Sequence, residues 1–418
     1  MKKMRWTKIM LAGLLAVSVT ACGGPKQEAS GSGSPGAAQG TKADDTKAEA
    51  ANTDSQSTET DSKEENSGGD ISIGVMATLT GYPLNGEHMR NGVLLAIDEI
   101  NKNGGVLGRK LSANVQDCSN TTDIGINAIN KLVSENVVGV IGPHYSTQGL
   151  AVESIIKQGK VPMLVGGTSP KFVSDVDNDY LFRIRASDTL QASAAVSYLV
   201  DSCGATKVAI LHGSDDFGTG GMQVATAYLD SAGIPYCIQS FNNEDTDVTS
   251  QILKCINEKC DGVMIWATEA AYPIVARQMY ELGLTAPTIT NPSLAVDSCL
   301  AQLEEDWVEG WYCVTDFLSN NPTDKIQNFM KAYREAYGEN ESIDLHCAAY
   351  YSAVYALVDG IERAGSTDGE AVAKALRETK GVEGLVGDFN CNEDGEMIHE
   401  IILGQCKGLS IEYIDVIR

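Results

Sequence analysis

From Asp70 onward, short apolar runs alternate with stretches whose apolar residues recur every three or four positions. "ISIGVMATL" (71–79) reads as a buried strand. Val93, Leu94, Ile97 and Ile100 then share one face of a helix that Gly104-Gly105 ends. "KLSANVQD" is a second strand, and Ile129, Leu132 and Val133 mark a second helix. "VVGVIGP", a helix from about Ser146, and "VPMLVG" continue the series. After "YLFRIRASD" the pattern restarts, with strands at "KVAILHG", "PYCIQSF", "GVMIWA" and "PTIT". Helices are expected between them at 189–201, 219–231, 248–258 and 269–282. Strands separated by helices imply right-handed βαβ units with parallel sheets.

The C-terminal part breaks this rhythm. "TDKIQNFMKAYREAYG" and "LHCAAYYSAVYALVDGIERAGS" are long helices with little strand between them, expected to return to the first lobe. "VGDFNCNEDGEMIHEIILGQ" reads as a hairpin turning at Asp394-Gly395. The predicted fold class is α/β: two similar βαβ-type lobes with parallel sheets, joined by a multi-strand hinge around a ligand cleft. The approximate boundaries are 70–186 with 317–392 for lobe 1, and 187–316 with 393–418 for lobe 2. The hinge crossings are expected near Arg183–Ser187, Val314–Phe317 and Asp388–Gly395.

The two strand ends "VVGVIGPHYSTQG" and "VPMLVGGTSP" carry hydroxyls where ligands of open α/β sheets bind. A helix beginning there presents free N–H groups and suits an anion. Ser146 and Thr147 add hydroxyl donors, Gly166 and Gly167 allow close backbone approach, and Thr168 adds a further donor. Together they suit a carboxylate held without a full countercharge. The plainer alternative makes Ser146 and Thr168 helix caps.

Upstream the chain changes character. Lys2, Lys3, Arg5 and Lys8 precede an apolar run from Ile9 to Val19, and "VTACGG" places Cys22 after small residues. Residues 1–22 therefore read as an export signal too short to span a bilayer, ending like a bacterial lipoprotein signal with Cys22 as the lipidated residue. Residues 23–69 contain no aromatic and no Val, Ile, Leu or Met, and read as a disordered tether. The expected location is the extracytoplasmic face of the cell membrane.

Of the net charge of −25, the signal contributes +4 and the tether −5, leaving −24 on residues 70–418. No basic stripe could track phosphates, so nucleic acid is not an expected partner. There is no CxxC or HExxH spacing, so neither a metal nor another cofactor is expected. For the ten cysteines after Cys22, buried thiols and disulfides are both open. Ser146 with His144 could be mistaken for a nucleophile and base, but no GxSxG elbow is present and no enzyme activity is expected.

From Asp70 to the end, the chain resembles the branched-chain amino acid binding protein family of ABC transporters, a type I periplasmic-binding fold. The motifs that carry the resemblance are "GVMATLTGYPLNGEHMRNGVLLAIDEINKNGGVLGRKL", "VIGPHYSTQGLA", "VPMLVGGTSP", "LFRIRASDTLQ", "ILHGSDDFGTG" and "ARQMYELGL". The resemblance implies that Ser146 and Thr168 hold a ligand carboxylate, and that Gly166 offers a carbonyl to its ammonium. It places Asp188 as an acid near the first crossover, and Phe217 as an aromatic closing from the second lobe. Asn85 falls in the loop lining the side-chain pocket, with Trp266 and Thr268 at a second-lobe strand end facing the cleft. For Phe217 and Trp266, core packing is the competing role.

One position departs from the pattern. Pro292 stands about where amino acid binders of the family carry a Glu. Either Asp188 or Glu269 replaces that acid, or the ligand is not an α-amino acid. A family disulfide in the first lobe is doubtful, because Tyr145 occupies the partner position for Cys118. The implied function is a monomeric solute-binding lipoprotein that closes on a small carboxylate-bearing solute and delivers it to ABC permease subunits. The solute expected is a branched-chain or related amino acid. The alternative is a sensor component for an amide or organic acid.

Replacement of the expected lipidated residue, Cys22→Ser, should release the protein from the membrane fraction with its ligand affinity unchanged. Retention of the variant in that fraction contradicts the anchor.

Overall fold

The computed structural model describes residues 69–417. The export signal, Cys22 and all of the tether but Gly69 lie outside the described residues. Among those described, no helix is long and apolar enough to cross a membrane.

The first sheet comprises β1 (Ile71–Ala77), β2 (Leu111–Asp117), β3 (Val140–Ile141), β4 (Met163–Val165) and β5 (Leu181–Arg183). Their spatial order is β2-β1-β3-β4-β5, all parallel. Ile71, Ile73 and Val75 of β1 are wholly buried, as a strand covered by helices on both faces requires. The second sheet contains β6 (Val208–Gly213), β7 (Tyr236–Phe241), β8 (Gly262–Trp266), β9 (Thr288–Thr290) and β10 (Tyr312–Thr315). These run β7-β6-β8-β9-β10, the same winding as the first sheet. Two α/β lobes of like topology are therefore present, as the repeated pattern predicts.

The C-terminal region differs from expectation. β11 (Lys380–Val382) pairs with β12 (Phe389–Asn390), while β13 (Ile401–Lys407) joins the second sheet antiparallel to β10 and β14 (Ser410–Ile417) adds antiparallel to β13. That sheet is consequently mixed rather than parallel. The expected hairpin is reduced to a turn, in which Asn392 N donates to Glu396 O at 3.0 Å and Gly395 takes φ +81°. Its second arm meets β12 through Asn390 N, which donates to Met397 O at 2.7 Å, and Glu396 also bridges to Arg183. The strand run beginning at Ile401 finds its antiparallel partner further on, in β14. A helix at Gly369–Arg377 also lies outside the elements read from sequence.

The long helix Leu345–Ala364 packs on the helix Pro83–Lys102 beside the first sheet. Their approach is close enough that a Cβ on Gly92 would sit 2.3 Å from the Cys347 carbonyl oxygen. All ten described cysteines are free thiols, eight of them buried.

Three segments run between the lobes. The first follows β5, and Arg183 N donates to Gly395 O at 2.8 Å while Met397 N donates to Arg183 O at 3.0 Å. The Arg183 side chain pairs with Glu396 and donates to the Thr168 and Ser169 carbonyls at 3.2 and 2.9 Å. Arg185 Nε pairs with Asp316 Oδ2 at 2.5 Å, just beyond β10. Two arginines on one crossing thus fasten it to the other two.

Candidate functional site

A 2-1-3-4-5 strand order opens a crevice where the winding changes direction, beyond the carboxyl ends of the first and third strands. In the first lobe that crevice lies after β1 and β3, and in the second after β6 and β8. The lobes meet across these crevices and leave about 440 Å³ of space between atoms, part of it open to solvent. His144, Tyr145, Ser146 and Thr168 come to this cavity from the loops after β3 and β4. Asp215, Phe217, Thr268, Glu269, Pro292, Ser293 and Val296 come from those after β6, β8 and β9. Arg185 of the hinge, with Leu345 and His346 from the start of the long helix, completes the wall.

The first-lobe wall is a donor surface. Ser146 is the first residue of the helix Ser146–Gly159, and its side chain does not cap that helix. Its Oγ accepts from Thr168 N at 3.1 Å and Ser169 N at 3.2 Å, which leaves the hydroxyl proton free to donate. Thr168 stands beside it, its loop gripped from behind by Arg183. The helix N-terminus adds its partial positive charge.

The facing wall is acidic. Glu269 is 5% exposed, and Asn85 Nδ2 donates to its Oε1 at 2.6 Å. The Tyr145 hydroxyl donates to the same oxygen. Burial, then the Glu269 charge, hold the Tyr145 phenol well above its ordinary pKa, so it stays a donor. Both donors are neutral and both belong to the opposite lobe. Ser298 Oγ donates to Asn85 Oδ1 at 2.8 Å, and Lys171 pairs with Asp216, so the lobes are closed on one another. Asp215 caps the helix Asp216–Ala232 by accepting from Gly218 N at 2.8 Å, which sets Phe217 at the cavity. The Thr268 Oγ1 is buried without a hydrogen-bond partner. Pro292 opens a short 3₁₀ turn and lines the cavity.

Of the residues singled out from sequence, Ser146, Thr168, Phe217 and Thr268 line the cavity. Asn85 stands just outside it, gripping Glu269. Thr147 faces a neighbouring cleft with Tyr82 and Asn243. Gly166 packs behind His144, where a Cβ would lie 3.0 Å from the imidazole Nδ1. Trp266 is wholly buried against Gly221, 6.1 Å from the Phe217 ring. Asp188 is also wholly buried, behind the cavity wall. Burial pushes its carboxyl up to about 7, against the pull of Thr168, Arg183, Arg185 and Trp266. Two second-lobe acids reach the cavity opposite the hydroxyls, Glu269 and Asp215, and Asp215 is engaged in its helix cap.

The sequence reading missed a polar network behind the first-lobe wall. Asp344 Oδ1 accepts from His346 N at 2.9 Å and faces His346 Nδ1 at 3.2 Å, and His88 Nδ1 lies 3.0 Å from it as an ion-pair partner. The His346 ring lies 4.2 Å from that of His144, whose Nε2 accepts from Arg185 Nη1 at 3.3 Å. Burial, then His346 and Arg185, hold His144 well below its ordinary pKa, so it is neutral. The available signal was "DLH", two polar residues opening an otherwise apolar helix. His88, Asp344 and Cys347 also form a group whose ligating atoms lie within 4.8 Å of one another. The ion pair of His88 with Asp344 and the two hydrogen bonds from His346 account for this grouping without an ion.

Residues 70–410 match the periplasmic binding protein family. The chain is 28% identical over 333 residues to the Leu/Ile/Val-binding protein BraC3 of Rhizobium johnstonii, covering 78% of this chain and 89% of that protein. It is 26% identical over 335 residues to Leu/Ile/Val-binding protein homolog 3 of Brucella melitensis, covering 78% and 89%. A leucine binding protein from Thermotoga maritima has a similar fold, with TM-score 0.77 at 23% identity, over 83% of this chain and 98% of that one. An ABC transporter substrate-binding protein from Desulfitobacterium hafniense, solved in complex with Leu, superposes with TM-score 0.70 at 26% identity, over 82% and 100%.

The His88–Asp344 pair predicts a pH dependence of stability. Burial disfavours the imidazolium, but hydrogen bonds to Asp344 and Cys347 and the Asp344 charge outweigh it and raise His88 from 6.5 to about 11. A folded pKa above the unfolded one means the pair stabilises fully below about 6.5 and loses that contribution as pH rises. His88→Gln should cost about 3 kcal/mol in the acidic range. That difference from wild type should shrink up to about pH 9, where free thiols begin to titrate. Urea unfolding of both proteins across this range checks it, and a constant difference contradicts the charged pair.

Proposed function

The chain belongs to the periplasmic binding protein family, a family of binding proteins rather than enzymes, and on that premise we propose that it is the extracytoplasmic substrate-binding component of an ABC importer for an L-α-amino acid. Cys22 anchors it to the membrane, residues 23–69 tether the lobes, and ABC permease subunits receive the ligand. The observation that carries this reading is the Glu269 carboxylate, buried at the lobe interface with neutral donors around it. A buried carboxylate so placed calls for a cation, and the opposite wall is built for an anion. A zwitterion satisfies both. The relatives named for Leu, Ile and Val point to the same class, branched-chain or related amino acids.

In this proposal the α-carboxylate receives the hydroxyl protons of Ser146 and Thr168 and the N–H groups at the start of the helix Ser146–Gly159. The α-ammonium donates to Glu269 and to Thr268 Oγ1. Phe217 covers the ligand from the second lobe. Asn85 holds Glu269 in place, while Thr147, Gly166, Asp188 and Trp266 support the walls from outside. Glu269 thereby supplies the charge that Pro292 cannot.

Ser146→Ala would also strip the acceptor from two backbone N–H groups and lower stability by about 1–3 kcal/mol, so Thr168→Val is the cleaner probe. Loss of one hydrogen bond to a charged group is worth about 1.5–3 kcal/mol. Thr168→Val should therefore weaken binding of the tightest L-amino acid by roughly tenfold to a hundredfold, and Glu269→Gln by at least as much. Calorimetry on the two variants checks this; full affinity in both removes the proposal.

A further inference from the structure

Once an α-carboxylate and an α-ammonium are placed, the cavity still presents polar walls. With Tyr145, Ser146, Thr168, Asp215, Thr268 and Glu269 committed elsewhere, four of the eight remaining lining residues carry polar side chains, more than a site selecting a hydrocarbon would show. His144, Arg185, Ser293 and His346 take no part in the carboxylate or ammonium contacts proposed above, and so are left to face the rest of the ligand.

His346 is the most informative of these. It is 1% exposed, and its Nδ1 faces a carboxylate oxygen of Asp344 at 3.2 Å. That oxygen accepts from Nδ1–H, which leaves Nε2 as the ring's remaining hydrogen-bonding atom. Nε2 is buried without a hydrogen-bond partner, on a ring that lines the cavity. A hydrocarbon packed over it would leave that nitrogen unsatisfied. Arg185 limits the charge of the ligand. Its guanidinium is already neutralised by Asp316 at 2.5 Å and also donates to His144. A second ligand carboxylate would be buried there beside an arginine whose charge is spent.

We infer that the ligand's side chain carries an uncharged hydrogen-bonding group, an amide or a hydroxyl, which pairs with His346 Nε2. The favoured ligands then share the shape of leucine and valine but not their polarity. This rests on the amino acid reading proposed above.

Isosteric pairs separate the two ideas. Asparagine matches leucine in shape, and threonine matches valine. Calorimetry on the full chain should show the polar member of at least one pair binding about tenfold or more tightly than its isostere. Asparagine should also bind more tightly than aspartate. His346→Leu should reduce the polar preference to less than about threefold. Should that variant fail to fold, the wild-type comparison decides alone. Tighter binding of leucine and valine than of their polar partners overturns the inference and leaves the amino acid proposal standing. So does aspartate outbinding asparagine. If none of the five amino acids binds, the inference falls together with the reading beneath it.

Discussion

Two buried arginines, Arg183 and Arg185, hold the rest of this architecture in register. Each lies on the first crossing between the lobes, and each pairs with a carboxylate on a different crossing, Glu396 or Asp316. Buried ion pairs contribute little net stability, because desolvation offsets most of the attraction. Losing one partner is another matter, since it leaves an uncompensated charge and costs about 3–5 kcal/mol. The pairs therefore specify geometry more than they add energy. Arg183 extends that control into the site, because its guanidinium also holds the carbonyls of Thr168 and Ser169. Arg185 does so directly, being itself a wall of the cavity.

On this frame the electrostatics of the cavity become a property of the closed state. Glu269 belongs to the second lobe, but both of its hydrogen-bond donors come from the first. Opening would return that carboxylate to water and release Asn85 and Tyr145. Closing surrounds it with a low dielectric in which a ligand cation is strongly favoured. The hydroxyl wall behaves similarly: Ser146 is oriented by the backbone N–H groups of the neighbouring loop, so its proton points to the space left over. A ligand that brings both charges stabilises the closed arrangement more than one that brings either.

The local half of this account is legible in the sequence. Short apolar runs and period-3.6 patterns locate both windings, and of the hydroxyls read after β3 and β4, Ser146 and Thr168 line the cavity. What stays hidden depends on partners far apart in the chain. Arg185 and Asp316 are separated by 131 residues, Arg183 and Glu396 by 213. No local pattern distinguishes those arginines from ordinary polar positions on a strand. The same holds for His346, whose significance comes from the cavity it reaches and the carboxylate behind it. Asp188 illustrates the converse. Its position near the first crossover is as the sequence reading has it, but the fold buries it behind the wall, and Glu269 stands in the cavity instead. The run at 396–405 shows a further limit, because an apolar strand does not declare its partner: the turn at Gly395 forms, but β13 pairs with β10 and β14.

The central claim is that one cavity recognises both charges of a zwitterion, with Glu269 on one side and Ser146 and Thr168 on the other. The direct measurement is the affinity of the wild-type protein for its tightest L-amino acid, set against the 2-hydroxy acid and the amine of the same side chain. Leaving a buried charge unpartnered costs about 2–5 kcal/mol, so each analogue should bind at least about thirtyfold more weakly than the amino acid. A 2-hydroxy acid that binds as tightly as the amino acid would contradict the account, because Glu269 would then be facing no ammonium.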